Sequence, residues 1–402
     1  MRKWVMHKPT DKLKVLLATT SYPLRKGDVS GVFVARLAEA LACDEDLLVL
    51  TPASRHCSPA EPNTPPVHCF AYAPRSWQRL AHEPGGIPVA LKQTPLLWLF
   101  VPVFLLSMFF AVLRSSRKTD IIHANWAMTG LICGLVGKLM DKPVVTTLRG
   151  SDVSNLEHSR LKRSILGLAI QLNAKVIAVS TPMLSALHQF FPRYTRRCSH
   201  IPNGVDEQLL ALSLPTEQNT DMLRLVSIGN LNPLKGNSSI IEALKSLPQS
   251  VTLTIVGDGP ERASLEKQVD KMGLRNRVFF GGNAAPELIP QILGEHDGLI
   301  LASHSEGRPN VVVEAMAAGR AVLASRLPGV EELIRDDHNG LLFEPGNPAS
   351  IALAIQQLLR QPEKCRTLGL AARQTVLDLG LSWTACALQY RQIYQQALGR
   401  TE

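Results

Sequence analysis

The sequence lacks the cysteine patterns that build disulfide-bonded proteins or zinc sites. Its seven cysteines are odd in number and widely spaced, and no C-x-x-C pair occurs among them. This usage is typical of reduced thiols in the cytosol. The basic N-terminal stretch also lacks a signal-peptide cleavage site, so we expect a cytoplasmic protein.

Features of nucleic-acid-binding proteins are missing as well. The chain contains no helix-turn-helix pattern, no zinc-finger spacing and no RNA-binding aromatic motif. We therefore expect no nucleic-acid partner. What is present is the composition of a globular protein, with 45% apolar and 19% charged residues, and no repeat or low-complexity segment.

Acidic residues are scarce in the first half of the chain. Residues 1–200 hold 25 Lys and Arg against 12 Asp and Glu, whereas residues 201–402 hold 18 against 22. A basic half suggests an anionic partner, such as a membrane leaflet or a phosphorylated acceptor. The alternative interpretation is that the charge only keeps the protein soluble.

The length of 402 residues and the order of the hydrophobic runs predict two domains. Short aliphatic runs at 13–18, 121–123 and 144–147 alternate with helical patterns, which is typical of parallel sheets covered on both faces. The same alternation begins again after a Pro-Asn-Gly break at 202–204. We predict an α/β protein with an N-terminal domain at 1–204, a C-terminal domain at 205–382 and a closing helix at 383–402.

One uncharged stretch, residues 95–113, approaches the length that crosses a bilayer. Arg114, Arg117 and Lys118 follow it directly. A span would separate strands that should pair in one sheet. The stretch is therefore interpreted as a helix that packs on the sheet and contacts a membrane surface through 95–118, with a plain buried helix and a true span as alternatives.

The most specific motif is Glu306-Gly-Arg-Pro-Asn-Val-Val-Val-Glu314, followed by Ala-Met-Ala-Ala-Gly. Pro309 suits a helix start and Gly319 suits a helix end, which places Glu306 in the loop before the helix and Glu314 within it. The free N–H groups of a helix start can hold phosphate oxygens or sugar hydroxyls. Two carboxylates along this edge can bind vicinal hydroxyls.

Two further turns could approach a phosphate. Lys235 lies in a turn that follows a predicted strand, at Gly229-Asn-Leu-Asn-Pro-Leu-Lys-Gly236, and Gly31 opens the first helix. Either turn alone is weak evidence, since tight packing would explain it equally well. Asp44-Glu45-Asp46 has the spacing of a metal-diphosphate site but is interpreted as a solvated turn, so we predict no metal ligand.

With these residues, the chain resembles family 4 of the retaining glycosyltransferases. Residues 303–346 resemble the E-x7-E region of that family, 201–206 (IPNGVD) resemble its interdomain motif, and 122–126 (IHANW) and 147–152 (TLRGSD) resemble its acceptor-side motifs. The resemblance implies the GT-B fold, in which two Rossmann-like domains with parallel sheets face each other across a cleft. It also implies a nucleotide diphosphate sugar as donor substrate, no other cofactor, and a saccharide or lipid-linked acceptor.

The resemblance assigns roles to individual residues. Glu306 would contact the donor sugar and Glu314 the ribose, while Lys235 would neutralise the leaving diphosphate. The other residues that it implicates are Gly31, Gly307, Arg308, Pro309, Asn310 and Val311 on the donor side, and His123 and Asp152 on the acceptor side.

Two positions depart from the usual pattern of the family. Asn230 stands where arginine is common, and Arg149 stands where histidine is common. We interpret Arg149 as the cation that replaces the one missing at 230. The alternatives are a phosphorylase or epimerase on the same fold, and a non-catalytic scaffold with a decayed donor site.

Overall fold

Short strands that are aliphatic on both faces need cover on both sides, and helices supply that cover here. The computed structural model describes residues 12–25, 27–28, 30–54, 65–82, 86–154, 156–214 and 222–399. These residues form two compact units. The first comprises the described parts of Met1–Val179, Ala186–Ile201 and Ala387–Glu402, and the second those of Ser180–Ser185 and Pro202–Cys386.

A seven-stranded parallel sheet forms the centre of the first unit, in the order β3-β2-β1-β4-β5-β6-β7. Its strands are β1 (Lys14–Ala18), β2 (Asp46–Pro52), β3 (Val67–Phe70), β4 (Ile121–Asn125), β5 (Val144–Leu148), β6 (Lys175–Ala178) and β7 (Cys198–His200). The helices between them are α1 (Val32–Ala42), α2 (Gly86–Gln93), α3 (Val101–Ser115), α4 (Ala127–Met140), α5 (Arg160–Leu172) and α6 (Thr181–Phe190).

The second unit is built in the same way around a six-stranded parallel sheet, in the order β10-β9-β8-β11-β12-β13. Its strands are β8 (Leu223–Ile228), β9 (Val251–Val256), β10 (Val278–Gly282), β11 (Gly298–Leu301), β12 (Ala321–Ser325) and β13 (Leu341–Phe343). The helices are α7 (Glu207–Leu210), α8 (Asn237–Leu244), α9 (Arg262–Lys271), α10 (Ile289–Glu295), α11 (Asn310–Ala317), α12 (Pro328–Glu331), α13 (Pro348–Arg360), α14 (Pro362–Asp378) and α15 (Trp383–Ala397), whose last turns belong to the first unit.

Successive residues of the central strands enter different cores. Leu225 of β8 packs with α8 and α13 residues, whereas the adjacent Val226 packs with α11 residues on the other face. Both side chains are fully buried. This arrangement explains why the strands read as continuous aliphatic runs, and it confirms the predicted α/β class with two parallel sheets.

The apolar stretch lies within the first unit. It forms a 3-10 turn (Pro95–Phe100), α3 and a second 3-10 turn (Ser116–Lys118), and by length and composition this segment could cross a membrane. The strands before and after it, β3 and β4, nevertheless belong to one sheet. The fold therefore does not accommodate the transmembrane alternative, because a span would place β3 and β4 on opposite sides of a bilayer.

The Asp44-Glu45-Asp46 turn is solvated at both aspartates, as expected from the sequence, but not at Glu45. Glu45 is 3% exposed, accepts a hydrogen bond from the Leu13 amide at 2.7 Å, and pairs with Arg391 Nε of α15 at 3.1 Å. Burial raises the pKa of Glu45. Its carboxylate thus ties the start of β1 to the closing helix.

Candidate functional site

Each sheet reverses its strand order at one point, and such points are where open parallel sheets bind ligands, beyond the carboxyl ends of the strands. In the second unit the reversal lies between β8 and β11. The loops that leave these strands carry Lys235 and Glu306. Two residues that are 71 positions apart in the sequence are therefore brought to one edge by topology alone.

Glycines let the loops at this edge approach one another. A Cβ on Gly236 would overlap the Ala302 carbonyl, and one on Gly257 would overlap the Gly229 carbonyl. Both glycines have positive φ, at 62° and 139°. Behind the Glu306 loop, a Cβ on Gly329 would overlap the Gly307 carbonyl. At these three positions the neighbouring backbone lies too close for any residue other than glycine.

Lys235 ends a short 3-10 turn whose local sequence specifies it. Asn232 caps the turn by accepting a hydrogen bond from the Leu234 amide at 3.0 Å, Pro233 occupies its first position, and Gly236 ends it in the left-handed conformation. The turn fixes the direction in which the Lys235 side chain leaves the backbone.

Lys235 and Glu306 form an ion pair. The ammonium Nζ lies 2.6 Å from Glu306 Oε1, and the Ser303 hydroxyl donates to the same oxygen at 2.7 Å. The side chains are 27% and 13% exposed, respectively, and Ser303 is fully buried. The arrangement holds one cation and one carboxylate at the carboxyl edge of the sheet, still within reach of solvent.

The segment after Glu306 leads into α11. Pro309 is the N-cap and Glu314 is the fifth residue of the helix, where it is half-buried. In the described residues, the amides of 307, 308, 310 and 311 donate to no other protein group. These N–H groups can therefore bind an anion or a hydroxyl.

Arg308 and Asn310 contact a residue that sequence reasoning gave no role. Arg308 Nη1 donates to the Asn203 carbonyl at 3.3 Å, and the Asn203 side-chain amide donates to Asn310 Oδ1 at 3.1 Å. Burial lowers the pKa of Arg308. The only sequence signal for Asn203 was its place in the IPNGVD motif. It fastens the loop after Glu306 to the segment that follows β7.

Asn230 lies beside this site but is exposed. Its Oδ1 lies beside the backbone of Gly259, where an added Cβ would come within 2.8 Å of it. The Gly257-Asp-Gly259 turn thus packs against the Gly229 loop, and this close approach requires both glycines.

In the first unit the strand order reverses between β1 and β4. Gly31 precedes α1 with φ 77°, and a Cβ there would lie 2.5 Å from the Ser21 carbonyl. Arg149, after β5, is 9% exposed, donates to Asn125 Oδ1 at 2.8 Å, and lies over the Phe33 ring at 4.8 Å. Topology brings Gly31 and Arg149 to the same edge of this sheet.

Asp152 holds this edge together. Its two carboxylate oxygens accept from the Ala127 amide at 3.0 Å and the Arg149 amide at 2.8 Å, and burial raises its pKa. These bonds join the loop after β5 to the start of α4. An acceptor-side role for Asp152 stays a prediction.

The family resemblance gives His123 an acceptor-side role, which stays a prediction, and the structure places the residue in the interior of the first unit. The residue is fully buried, and its ring nitrogens lie 2.7 Å from the Tyr394 hydroxyl and 2.8 Å from Thr147 Oγ1. Tyr390 also reaches Thr147 Oγ1, at 3.0 Å. The ring has no free nitrogen for an acceptor in this structure, and it connects β4 to the closing helix instead.

No group of three or more potential metal ligands is found among the described residues. The residues assembled at the two sheet edges are cations, amides and a few carboxylates. Such a set is suited to binding anionic, hydroxylated ligands.

Two family models match the chain. The model described as glycosyl transferases group 1 matches residues 215–375, and the model described as glycosyltransferase family 4 matches residues 30–209. Together they include every strand of the two sheets except β1.

Curated relatives and solved structures agree with these models. An uncharacterized glycosyltransferase of Methanocaldococcus jannaschii is 28% identical over 70% of this chain and 76% of its own length. The N-acetyl-alpha-D-glucosaminyl L-malate synthase of Bacillus anthracis is 26% identical over 72% of this chain and 77% of its own. The crystal structure of Anabaena HepE with UDP and glucose has a TM-score of 0.75 at 23% identity, and covers 96% of this chain and 100% of that one.

Proposed function

The chain belongs to the family 4 glycosyltransferases and has the GT-B fold, and from this we propose that it transfers a hexose-type sugar from a nucleotide diphosphate sugar, with retention of configuration. The observation that carries the proposal is the Lys235–Glu306 pair at the strand-order reversal of the second sheet. A diphosphate leaving group needs a cation, and a sugar needs hydrogen-bond acceptors. Both are present at this edge.

The proposed roles are those that the family resemblance implies, and the contacts at the edge of the second sheet are compatible with them. Lys235 neutralises the charge that develops on the diphosphate as the bond to the sugar breaks, so transfer requires no metal ion. Glu306 accepts hydrogen bonds from the sugar, and the amides of 307, 308, 310 and 311 bind sugar hydroxyls or phosphate oxygens. Glu314 binds the ribose, and Asn230 lies on the donor side of the site. A role of Arg149 as a second positive charge stays a prediction.

The acceptor is proposed to be a saccharide or a lipid-linked saccharide of cell-surface polysaccharide or glycolipid synthesis. The support is the excess of cations in the first half of the chain, which suits a phosphorylated acceptor. Cys43, Cys69, Cys133, Cys198, Cys365 and Cys386 are free thiols in the structure, which supports a cytoplasmic enzyme.

A thermal-shift panel tests the proposal. UDP, GDP and ADP, each alone and as sugar conjugates, are added to the wild-type protein and to Glu314→Ala. One nucleotide should raise the melting temperature by roughly 5–10 °C at a hundredfold excess over its Kd. Glu314→Ala should lose this shift, because the ribose loses its carboxylate.

Glu242→Ala is the matched control, since Glu242 is an exposed glutamate on α8 of the same unit. It should keep the full shift. If no nucleotide stabilises the wild-type protein, the donor proposal fails and a non-catalytic scaffold becomes the better account. Product analysis with the active donor then separates transfer from phosphorolysis or epimerisation.

A further inference from the structure

The apolar segment of the first unit has two faces with different surroundings. Phe104, Met108 and Val112 of α3 are buried against β2, β3 and α4, together with Leu97 of the preceding turn. The opposite face points outward. Its exposed side chains are Leu96 (53%), Trp98 (60%), Leu99 (70%), Val103 (47%), Leu106 (59%) and Phe110 (61%). We call these six residues the apolar face.

The apolar face is part of a fixed element. Val103, Leu106 and Phe110 lie on the side of α3 opposite its buried residues, at the spacing of one helix face. With its flanking 3-10 turns the helix forms the 24-residue segment Pro95–Lys118, whose buried residues Phe104, Met108 and Val112 are packed on the sheet. Anchored on the sheet, it can lie on a membrane surface with its axis along the interface.

Neighbouring elements extend this surface. Leu135 and Leu139 of α4, which packs beside α3, are 48% and 66% exposed. Trp77 stacks on Phe100 with ring centroids 5.5 Å apart and remains 42% exposed. Exposed apolar area spread over adjoining elements is unusual on a soluble protein and marks an interaction site.

The charged side chains within the apolar segment and α4 are all cations, and Asp120 and Asp141 lie just beyond their ends. Residues 86–119 contain no Asp or Glu, and neither does α4. The exposed cations on and beside these elements are Lys92, Arg114, Arg117, Lys118 and Lys138. A face of leucine and aromatic side chains next to these cations is complementary to acyl chains beneath anionic headgroups.

We propose that the apolar face docks on the surface of a bilayer that contains anionic phospholipids, with Leu106, Phe110 and Trp98 entering the headgroup region. The cations that follow α3 contact the phosphates. Docking does not depend on the donor chemistry proposed above, so the two can fail separately.

Flotation with lipid vesicles tests the docking. The full-length protein is mixed with vesicles of phosphatidylcholine alone, or of an equimolar mixture with phosphatidylglycerol. It should float with the mixed vesicles and far less with phosphatidylcholine. The variant Leu106→Glu with Phe110→Glu should bind more than about tenfold more weakly, because it loses apolar contact and adds negative charge.

A charge variant tests the second half of the proposal. Replacing Arg114, Arg117 and Lys118 by Gln should weaken binding to the mixed vesicles about 100-fold, since each cation near an anionic surface contributes about 1 kcal/mol. The control is Leu353→Glu with Leu377→Glu, which changes two leucines that are 61% and 51% exposed on the second unit. This control should float like the wild type.

Each variant is also checked for an unchanged melting temperature without ligand and an unchanged circular-dichroism spectrum, which report that it is folded independently of nucleotide binding. Equal flotation of the wild type and the Leu106→Glu, Phe110→Glu variant would overturn the proposal. The proposal would also be overturned if the wild-type protein does not bind vesicles and forms a stable dimer in sedimentation velocity that the same variant lacks. The apolar face would then contact a second copy of the chain.

Discussion

At the scale of single residues, the Lys235–Glu306 pair is a weak contributor to stability. Both side chains keep some solvent contact, at 27% and 13%, and such pairs contribute about 0–1 kcal/mol. A weak pair can exchange partners at little cost. Lys235 can therefore turn from the carboxylate to a bound diphosphate without destabilising the loop that carries it.

We expect Lys235→Ala to lower the transfer rate by about 10²–10³, the cost of removing one preorganised charge from a transition state. Lys235→Arg should retain more activity, because it keeps the charge while changing its position. The measurement is steady-state kinetics with the donor identified by the thermal-shift panel.

Lys245→Ala removes an exposed lysine from the end of α8 in the same unit and should leave the rate unchanged. Loss of less than threefold in Lys235→Ala would contradict the assigned role of Lys235. An equal loss in both variants would point to a general effect of net charge.

His123 predicts a pH dependence of stability. Burial, and then the nearby Arg149, lowers the pKa of His123 to about 3, whereas an unfolded histidine titrates near 6.5. Between these values the unfolded chain binds one proton more, so stability falls as the pH drops. From pH 7 to pH 5 this residue should cost about 2 kcal/mol of unfolding free energy.

Urea unfolding at both pH values checks the dependence. His123→Gln removes the titrating ring, so its stability should fall by about 2 kcal/mol less than that of the wild type over this interval. His68→Gln, at an exposed position on β3, should follow the wild type. If the unfolding free energy of His123→Gln and that of the wild type fall by the same amount between the two pH values, His123 is not buried in the neutral form.

At the scale of elements, α15 is held to the first unit by polar contacts as well as packing. Tyr394 and Tyr390 reach the buried His123 and Thr147, and Arg391 pairs with Glu45. Its beginning, in the second unit, is also fixed. Cys386 Sγ donates to the Pro202 carbonyl at 3.0 Å, and a Cβ on Gly204 would lie 2.5 Å from the Trp383 amide nitrogen.

Arg391→Ala should lower the unfolding free energy by about 2–3 kcal/mol. The substitution leaves the Glu45 carboxylate buried without its cation. Breaking an ion pair in which both partners are fully buried lowers the unfolding free energy somewhat more than this. The smaller figure reflects the 28% exposure of the Arg391 side chain. Chemical denaturation measures the difference.

Arg275→Ala breaks an exposed pair with Asp270 and should leave the unfolding free energy nearly unchanged. Glu45→Gln combined with Arg391→Ala should recover part of the loss, since the uncompensated charge is gone. A loss no greater than that of Arg275→Ala would show that the pair does not hold α15.

The elements that sequence analysis found are those with continuous aliphatic runs, such as β1 and β8. The two edges of the first sheet were not found. β3 is four residues long with two of them exposed, and β7 has three residues, so neither shows a hydrophobic pattern. Edge strands are short and only partly covered, which removes the periodicity on which prediction depends.

At the scale of the whole molecule, both sheets reverse their strand order beside the first strand of the unit, which is why loops far apart in sequence meet. The motif around Glu306 and Glu314 could be predicted because it is contiguous. The role of His123 could not, because its partner Tyr394 is 271 residues away. Glu45 escaped prediction for the same reason, since a local D-x-D pattern carries no information on Arg391.

The division of the first unit between both parts of the sequence has a consequence for protein synthesis. Its sheet is complete once His200 has been translated, yet Tyr390 and Tyr394 of α15, which contact Thr147 and His123, follow the whole of Pro202–Cys386. At bacterial or eukaryotic elongation rates those residues take about 10–40 s to make. During that interval His123, Thr147 and Glu45 lack their tyrosine and arginine partners on α15. We expect the first unit to be exposed to chaperone binding until the last turns of α15 have been synthesised.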